Sequence, residues 1–127
     1  MNARKLRTIF TANFFLVALV LCTAPRAAQT PNTISITASR FSYAPNEITV
    51  KKGEKVTLLI TSADVTHGLV IEALGVSTTD LKKGKTTSVT FVPSITGTFE
   101  GKCAHFCGSG HGSMRFTVHV VDSGGAP

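Results

Sequence analysis

From Cys103 to Met114 the chain reads Cys103-Ala104-His105-Phe106-Cys107-Gly108-Ser109-Gly110-His111-Gly112-Ser113-Met114. Two thiols, two imidazoles and a thioether fall within this short stretch. Soft sulfur donors beside imidazole nitrogens suit copper. A thiol pair alone would suggest zinc or a disulfide, but a methionine just past the last histidine fits neither. The glycines between the donors let the backbone fold tightly around a centre. The chemistry these residues offer is copper binding and one-electron transfer.

Such a loop needs a donor from elsewhere to close the site. His67 is the best candidate. It lies in Ser62-Ala63-Asp64-Val65-Thr66-His67-Gly68, 36 residues before Cys103. Asp64 either orients the His67 loop or caps a turn. His119 alternates with Val118 and Val120, so it is expected on the outer face of a strand as a surface histidine.

The elements that must position these donors read as strands. Apolar residues alternate at Ile34, Ile36 and Ala38, at Ile48 and Val50, and at Val56, Leu58 and Ile60. The pattern continues at Leu69 and Ile71, at Val89 and Phe91, at Phe99, and at Phe116, Val118 and Val120. Period-two alternation marks strands with one buried face. Turn signals separate them: Tyr43-Ala44-Pro45-Asn46, Lys51-Lys52-Gly53-Glu54 and Lys82-Lys83-Gly84. No convincing helical period occurs after residue 30. About seven short strands with Gly, Pro and Asn turns predict an all-β sandwich. The ligand stretch is then a loop joining two consecutive strands at one end of it.

The first 28 residues differ from the rest. Arg4, Lys5 and Arg7 precede a mostly apolar run from Ile9 to Leu21, followed by Ala24, Ala27 and Ala28. This reads as a secretory signal peptide, or an N-terminal anchor if it stays uncleaved. Cys22 follows Leu21, which is too large for a good lipoprotein signal. Four of the 13 basic residues and none of the 7 acidic ones lie in the leader, which therefore dominates the basic charge. The remainder is close to balanced, so nucleic-acid binding is not inferred. Three segments follow: leader 1–28, one domain at 29–122, and a flexible Gly-rich tail at 123–127. An exported location permits a structural disulfide between Cys103 and Cys107, which stands as the alternative to a metal.

The constellation resembles the dinuclear copper A domain of cytochrome c oxidase subunit II, a Greek-key cupredoxin; nitrous oxide reductases carry a similar domain. That family's C-x-x-x-C-x-x-x-H-x-x-M pattern is met by Cys103, Cys107, His111 and Met114, and its upstream D-x-x-H by Asp64 and His67. The likeness runs over roughly residues 34–121, including Pro45, the Val50–Glu54 turn and Gly97. It implies two copper ions bridged by the Cys103 and Cys107 thiolates, with His67 and His111 binding one each. Met114 and the backbone carbonyl of His105 would be weak axial ligands, and a hydrophobic shell including Phe106 would tune the centre. The resemblance further implies a periplasmic electron-transfer module. Its donor would be a cytochrome c-like protein and its acceptor an oxidase or reductase. The membrane would be touched only through an uncleaved leader.

Two departures from the oxidase pattern stand out. The middle residue between the cysteines is His105 where oxidase subunits usually have Glu, and the chain has no Trp. In oxidases that Glu helps hold a metal at the catalytic-subunit interface, and a Trp receives electrons from cytochrome c; Tyr43 is the one tyrosine that could lie nearby. The two transmembrane helices that precede the oxidase domain are not found here either. A copper chaperone or store, and a mononuclear cupredoxin using Cys107, His111, His67 and Met114, are the competing readings.

Overall fold

The computed structural model describes residues 32–124. The leader, with Cys22, and residues 125–127 of the tail lie outside the described residues. Among the described residues nine strands form: β1 Asn32–Ser39, β2 Ser42–Ala44, β3 Glu47–Lys51, β4 Val56–Ser62, β5 His67–Ile71, β6 Val76–Leu81, β7 Thr86–Phe91, β8 Gly97–Lys102 and β9 Arg115–Val121. Among the described residues the only helical pieces are two 3-10 turns, Glu72–Leu74 and His111–Ser113.

Two sheets pack face to face, as the alternation predicts. One has the order β2-β1-β4-β7 and the other β3-β9-β8-β5-β6. The chain passes repeatedly from one sheet to the other. This places β1 parallel to β4 and β3 parallel to β9, while the remaining pairs are antiparallel. Alternation fixes the register, because a slip by one residue would turn each apolar face to solvent. In β4 the residues Val56, Leu58 and Ile60 point inward; in β9 Phe116, Val118 and Val120 do the same. Both strands sit inside their sheets and form the middle of the core.

Outer faces carry polar pairs. Thr57 and Thr90 face each other across β4 and β7, as do Thr61 and Thr86. His119 lies on the outer face as expected, between Thr98 on β8 and Glu47 on β3.

The strand count exceeds the sequence expectation by β2 and β6. β2 is three residues long, too short to show a period. β6 has apolar residues only at its two ends, Val76 and Leu81, and both are buried. They share the core because the β5–β6 register shifts between His67 and Leu69. A bulge there breaks strict alternation.

Candidate metal centre

The two chain reversals that matter meet at one end of the sandwich. The β8–β9 pairing runs from Gly97↔Val120 to Lys102↔Arg115. It extends by one further bond, from Cys103 N–H to the Met114 carbonyl at 3.3 Å. This rung closes the base of the ligand loop and sets two sulfur residues side by side, both buried. Above it the loop folds on itself: His111 N–H donates to Gly108 O, and Ser113 N–H to Gly110 O, each at 3.0 Å.

The sequence-predicted donors come together. The Cys103 and Cys107 Sγ atoms are 3.9 Å apart. His67 Nδ1 lies 4.0 Å from Cys103 Sγ, and His111 Nδ1 lies 3.8 Å from Cys107 Sγ. Met114 Sδ is 4.0 Å from Cys107 Sγ. The His105 carbonyl oxygen is 3.1 Å from Cys103 Sγ. One ligand atom each of His67, Cys103 and Cys107 lies within 4.8 Å of the others.

Both cysteines are free thiols. Their separation is well beyond the ~2.05 Å of a disulfide. It is short enough for one cation to touch both sulfurs, since metal–thiolate bonds of about 2.3 Å reach across it. Sulfur donors flanked by imidazoles on both sides suit copper, so the donor set fits that metal.

Asp64 takes both of the roles left open by the sequence. Its Oδ1 meets His67 Nε2 at 2.8 Å and accepts the Val65 N–H at 2.7 Å. Its Oδ2 accepts the Arg40 N–H at 2.8 Å. Burial alone would raise this carboxyl, but the Arg40 N–H, the His67 ring and the Val65 N–H outweigh it and hold it down at about 2. An ionised Asp64 accepts the Nε2 proton of His67 and leaves the Nδ1 lone pair facing the thiols. Supporting partners of this kind are worth roughly 10–100-fold in metal affinity. Asp64→Ala should therefore weaken copper binding by about that factor while the fold persists; competition titration against a copper chelator measures it.

Burial first, and then the neighbouring Cys103 thiol, push the Cys107 thiol up to about 11. A metal must displace that proton to gain a thiolate.

His105 splits into two parts. Its carbonyl faces Cys103, while its ring stays partly exposed with Nδ1 3.6 Å from Asp80 Oδ1. Phe106 departs from the expectation of a buried shell residue. It is 76% exposed, with its ring 5.7 Å from that of His111. The apolar surroundings come instead from Tyr43 and Phe116, buried in the same cluster as Cys103, Cys107 and Met114.

Four further residues support the site, and of these only Tyr43 stands out in the sequence, as the single tyrosine. Arg40, in the β1–β2 turn, donates from Nε to the Cys107 carbonyl at 2.9 Å. Phe41 lies against the loop glycines, where a Cβ on Gly110 would stand 2.4 Å from its ring. Tyr43 is buried, stacks edge-on to Phe116 and donates its hydroxyl to the Gly68 carbonyl. It is no surface contact for a partner. Burial, followed by the Cys103 and Cys107 thiols, drives its phenol far above the ordinary range, so it stays protonated.

Gly68 is the fourth. A Cβ there would stand 2.9 Å from both the His105 nitrogen and the Thr78 carbonyl oxygen. Both are backbone atoms, so the ligand loop or β6 must move. Gly68→Ala should cost about 1–3 kcal/mol in stability through overpacking. Urea unfolding of the metal-free protein, compared with wild type, measures that cost.

Comparison with known proteins agrees with this architecture. A family described as "Cupredoxin-like domain" matches residues 12–114. The chain is 36% identical over 82 residues to cytochrome c oxidase subunit 2 of Myxine glutinosa, covering 65% of this chain and 35% of that protein. It is 32% identical over 90 residues to cytochrome c oxidase subunit 2 of Thermus thermophilus, covering 71% of this chain and 66% of that one. It thus spans between about a third and two thirds of the length of these relatives. The periplasmic domain of subunit II of cytochrome oxidase (CoxB) of Bradyrhizobium japonicum shares the fold, with a TM-score of 0.66 at 24% identity. That match covers 72% of this chain and 85% of that one.

Proposed function

The chain belongs to the family of cupredoxin-like domains, and from that premise we propose that it is an exported electron-transfer module holding a dinuclear copper A centre. The observation that carries this reading is the paired donor set. Two buried thiols stand 3.9 Å apart, one beside His67 and the other beside His111. A mononuclear cupredoxin site would leave Cys103 spare, yet Cys103 lies between His67 and Cys107. A chaperone or store passes metal on through accessible thiols, whereas Cys103, Cys107, Met114 and His67 are all buried.

Bound here, a copper pair would supply a single electron shared between two metals. The protein's part is to hold the donors still. The Cys103–Met114 rung fixes the base of the loop, and Asp64 fixes the His67 ring. Arg40 and Phe41 press on the loop from the opposite sheet. Donors that keep their positions in both oxidation states keep the reorganisation cost of electron transfer low. Met114 Sδ and the His105 carbonyl are placed to act as weak further ligands that tune the potential.

The leader and the relatives' setting support a location outside the cytoplasmic membrane. No helix among the described residues is long and apolar enough to cross a membrane. The partners we assign are a one-electron donor of the cytochrome c type and an acceptor oxidase or reductase.

Redox titration of the copper-loaded chain tests the function. Reversible uptake of one electron for every two coppers is expected. Copper held permanently in the cuprous state, or one electron for each copper, would contradict it.

A further inference from the structure

The end of the sandwich that holds the ligand loop carries an excess of positive charge. The β6–β7 turn presents Lys82, Lys83 and Lys85, all exposed. This turn is tied directly to the site. Leu81 pairs with His67, Lys83 bridges to Ser62, and the Gly84 N–H donates to the Ser62 carbonyl at 2.8 Å. Exposed Arg40 adds a fourth cation where its Nε meets the Cys107 carbonyl.

The acids nearest this turn and Arg40 are Asp64 and Asp80. Asp64 is committed to the His67 ring and two backbone N–H groups, and Asp80 lies beside His105. Among the described residues no carboxylate pairs with Lys82, Lys83 or Lys85. By contrast, Lys102 and Arg115, the β8–β9 rung next to Cys103 and Met114, are matched by Glu72 at 3.9 Å and Glu100 at 3.1 Å. His105 and His111 contribute no negative charge in either protonation state.

Beside this rim sits an apolar contact. Phe106 is the most exposed large hydrophobic residue described, and it projects beside His111. A cleft of about 360 Å³ opens beneath it, lined by Arg40, Val65, Thr66, His105 and Gly108 next to Cys107. An exposed aromatic ring beside a net-positive rim is the anatomy of a docking face: the ring supplies buried area and the charge selects and steers the partner.

We propose that this face docks an acidic redox protein, the charge class opposite to that of basic mitochondrial cytochrome c. The inference deepens the electron-transfer reading and rests on it. One electron crosses between the copper centre and the partner's redox group; no bond forms or breaks and no proton moves.

The test uses the copper-loaded full chain, reduced and mixed in a stopped-flow instrument with small oxidants of either charge. Hexacyanoferrate(III), an anion, accepts one electron to become hexacyanoferrate(II). Its rate should fall about tenfold between low and physiological ionic strength, because salt screens the attraction. The cation tris(phenanthroline)cobalt(III), reduced to cobalt(II), should instead speed up. Reduced mitochondrial cytochrome c, offered to the oxidised chain, should also react faster as salt is added. The variant Lys82→Glu/Lys83→Glu/Lys85→Glu should reverse all three trends while leaving the copper spectrum unchanged. Rates with the anion that ignore salt or rise with it, or a variant that behaves like wild type, would overturn the proposal. A centre with one copper that still shows these trends would overturn the dinuclear reading and leave the docking face standing. No copper-dependent electron transfer at all would overturn both.

Discussion

Replacing Cys103 by Ser should abolish the dinuclear centre outright. The change removes one of two sulfurs lying 3.9 Å apart, and it removes the one next to His67 Nδ1 and the His105 carbonyl. A serine hydroxyl is similar in size but is a hard donor that stays protonated near neutral pH, so it does not replace a bridging thiolate. Cys107, His111 and Met114 keep their mutual distances, 3.8 Å and 4.0 Å from the Cys107 sulfur. The variant should therefore bind one copper with the spectrum of a mononuclear site. Electronic absorption and copper analysis of the reconstituted variant read this directly. A spectrum and copper content unchanged from wild type would refute the bridging role.

The second large effect is on the fold. Phe116 is fully buried at the start of β9, two residues past Met114. Its ring meets that of Tyr43 at 5.7 Å and 68°, an edge-on arrangement. Truncation to Ala should cost about 3–5 kcal/mol, from lost burial and the cavity left behind. Domains of this kind have only about 5–15 kcal/mol in total, so the metal-free variant should lose a large share of its stability. The effect should reach the site as well. Tyr43 holds the Gly68 carbonyl, and Gly68 abuts the backbone at His105. Urea unfolding of the metal-free variant measures the cost. Val121→Ala, at a position 39% exposed, should change stability by less than about 0.5 kcal/mol and serves as control. Saturating copper should recover part of the loss, because a ligand bound only by the folded state stabilises it by mass action.

The sequence was most readable where chemistry and periodicity are local. Cys103, Cys107, His111 and Met114 occupy one loop, so their spacing is visible without any fold. The β4 and β9 alternations are just as plain, because both strands are central and show one face to the core. His67 is legible from its residue type and its loop, and Asp64 from the D-x-x-H spacing of the resemblance. Arg40, Phe41 and Gly68 carry no such local signal. They act on the loop only after β1, β5 and β8 have been brought to the same end, and no sequence spacing encodes that meeting. Tyr43 was noticed as the only tyrosine, but its burial depends on pairing between Ala38 of β1 and Tyr43 of the short β2. Phe106 misled for the converse reason: it sits between two buried cysteines, yet the loop turns its side chain to solvent.

The central claim is that this site holds two coppers sharing one electron. It is tested most directly by copper analysis together with electron paramagnetic resonance of the oxidised, copper-loaded chain. An electron shared equally over two copper nuclei gives a seven-line hyperfine pattern, whereas an electron on one nucleus gives four lines. Two coppers for each chain and seven lines are the predicted result. One copper for each chain with a four-line pattern would contradict the account.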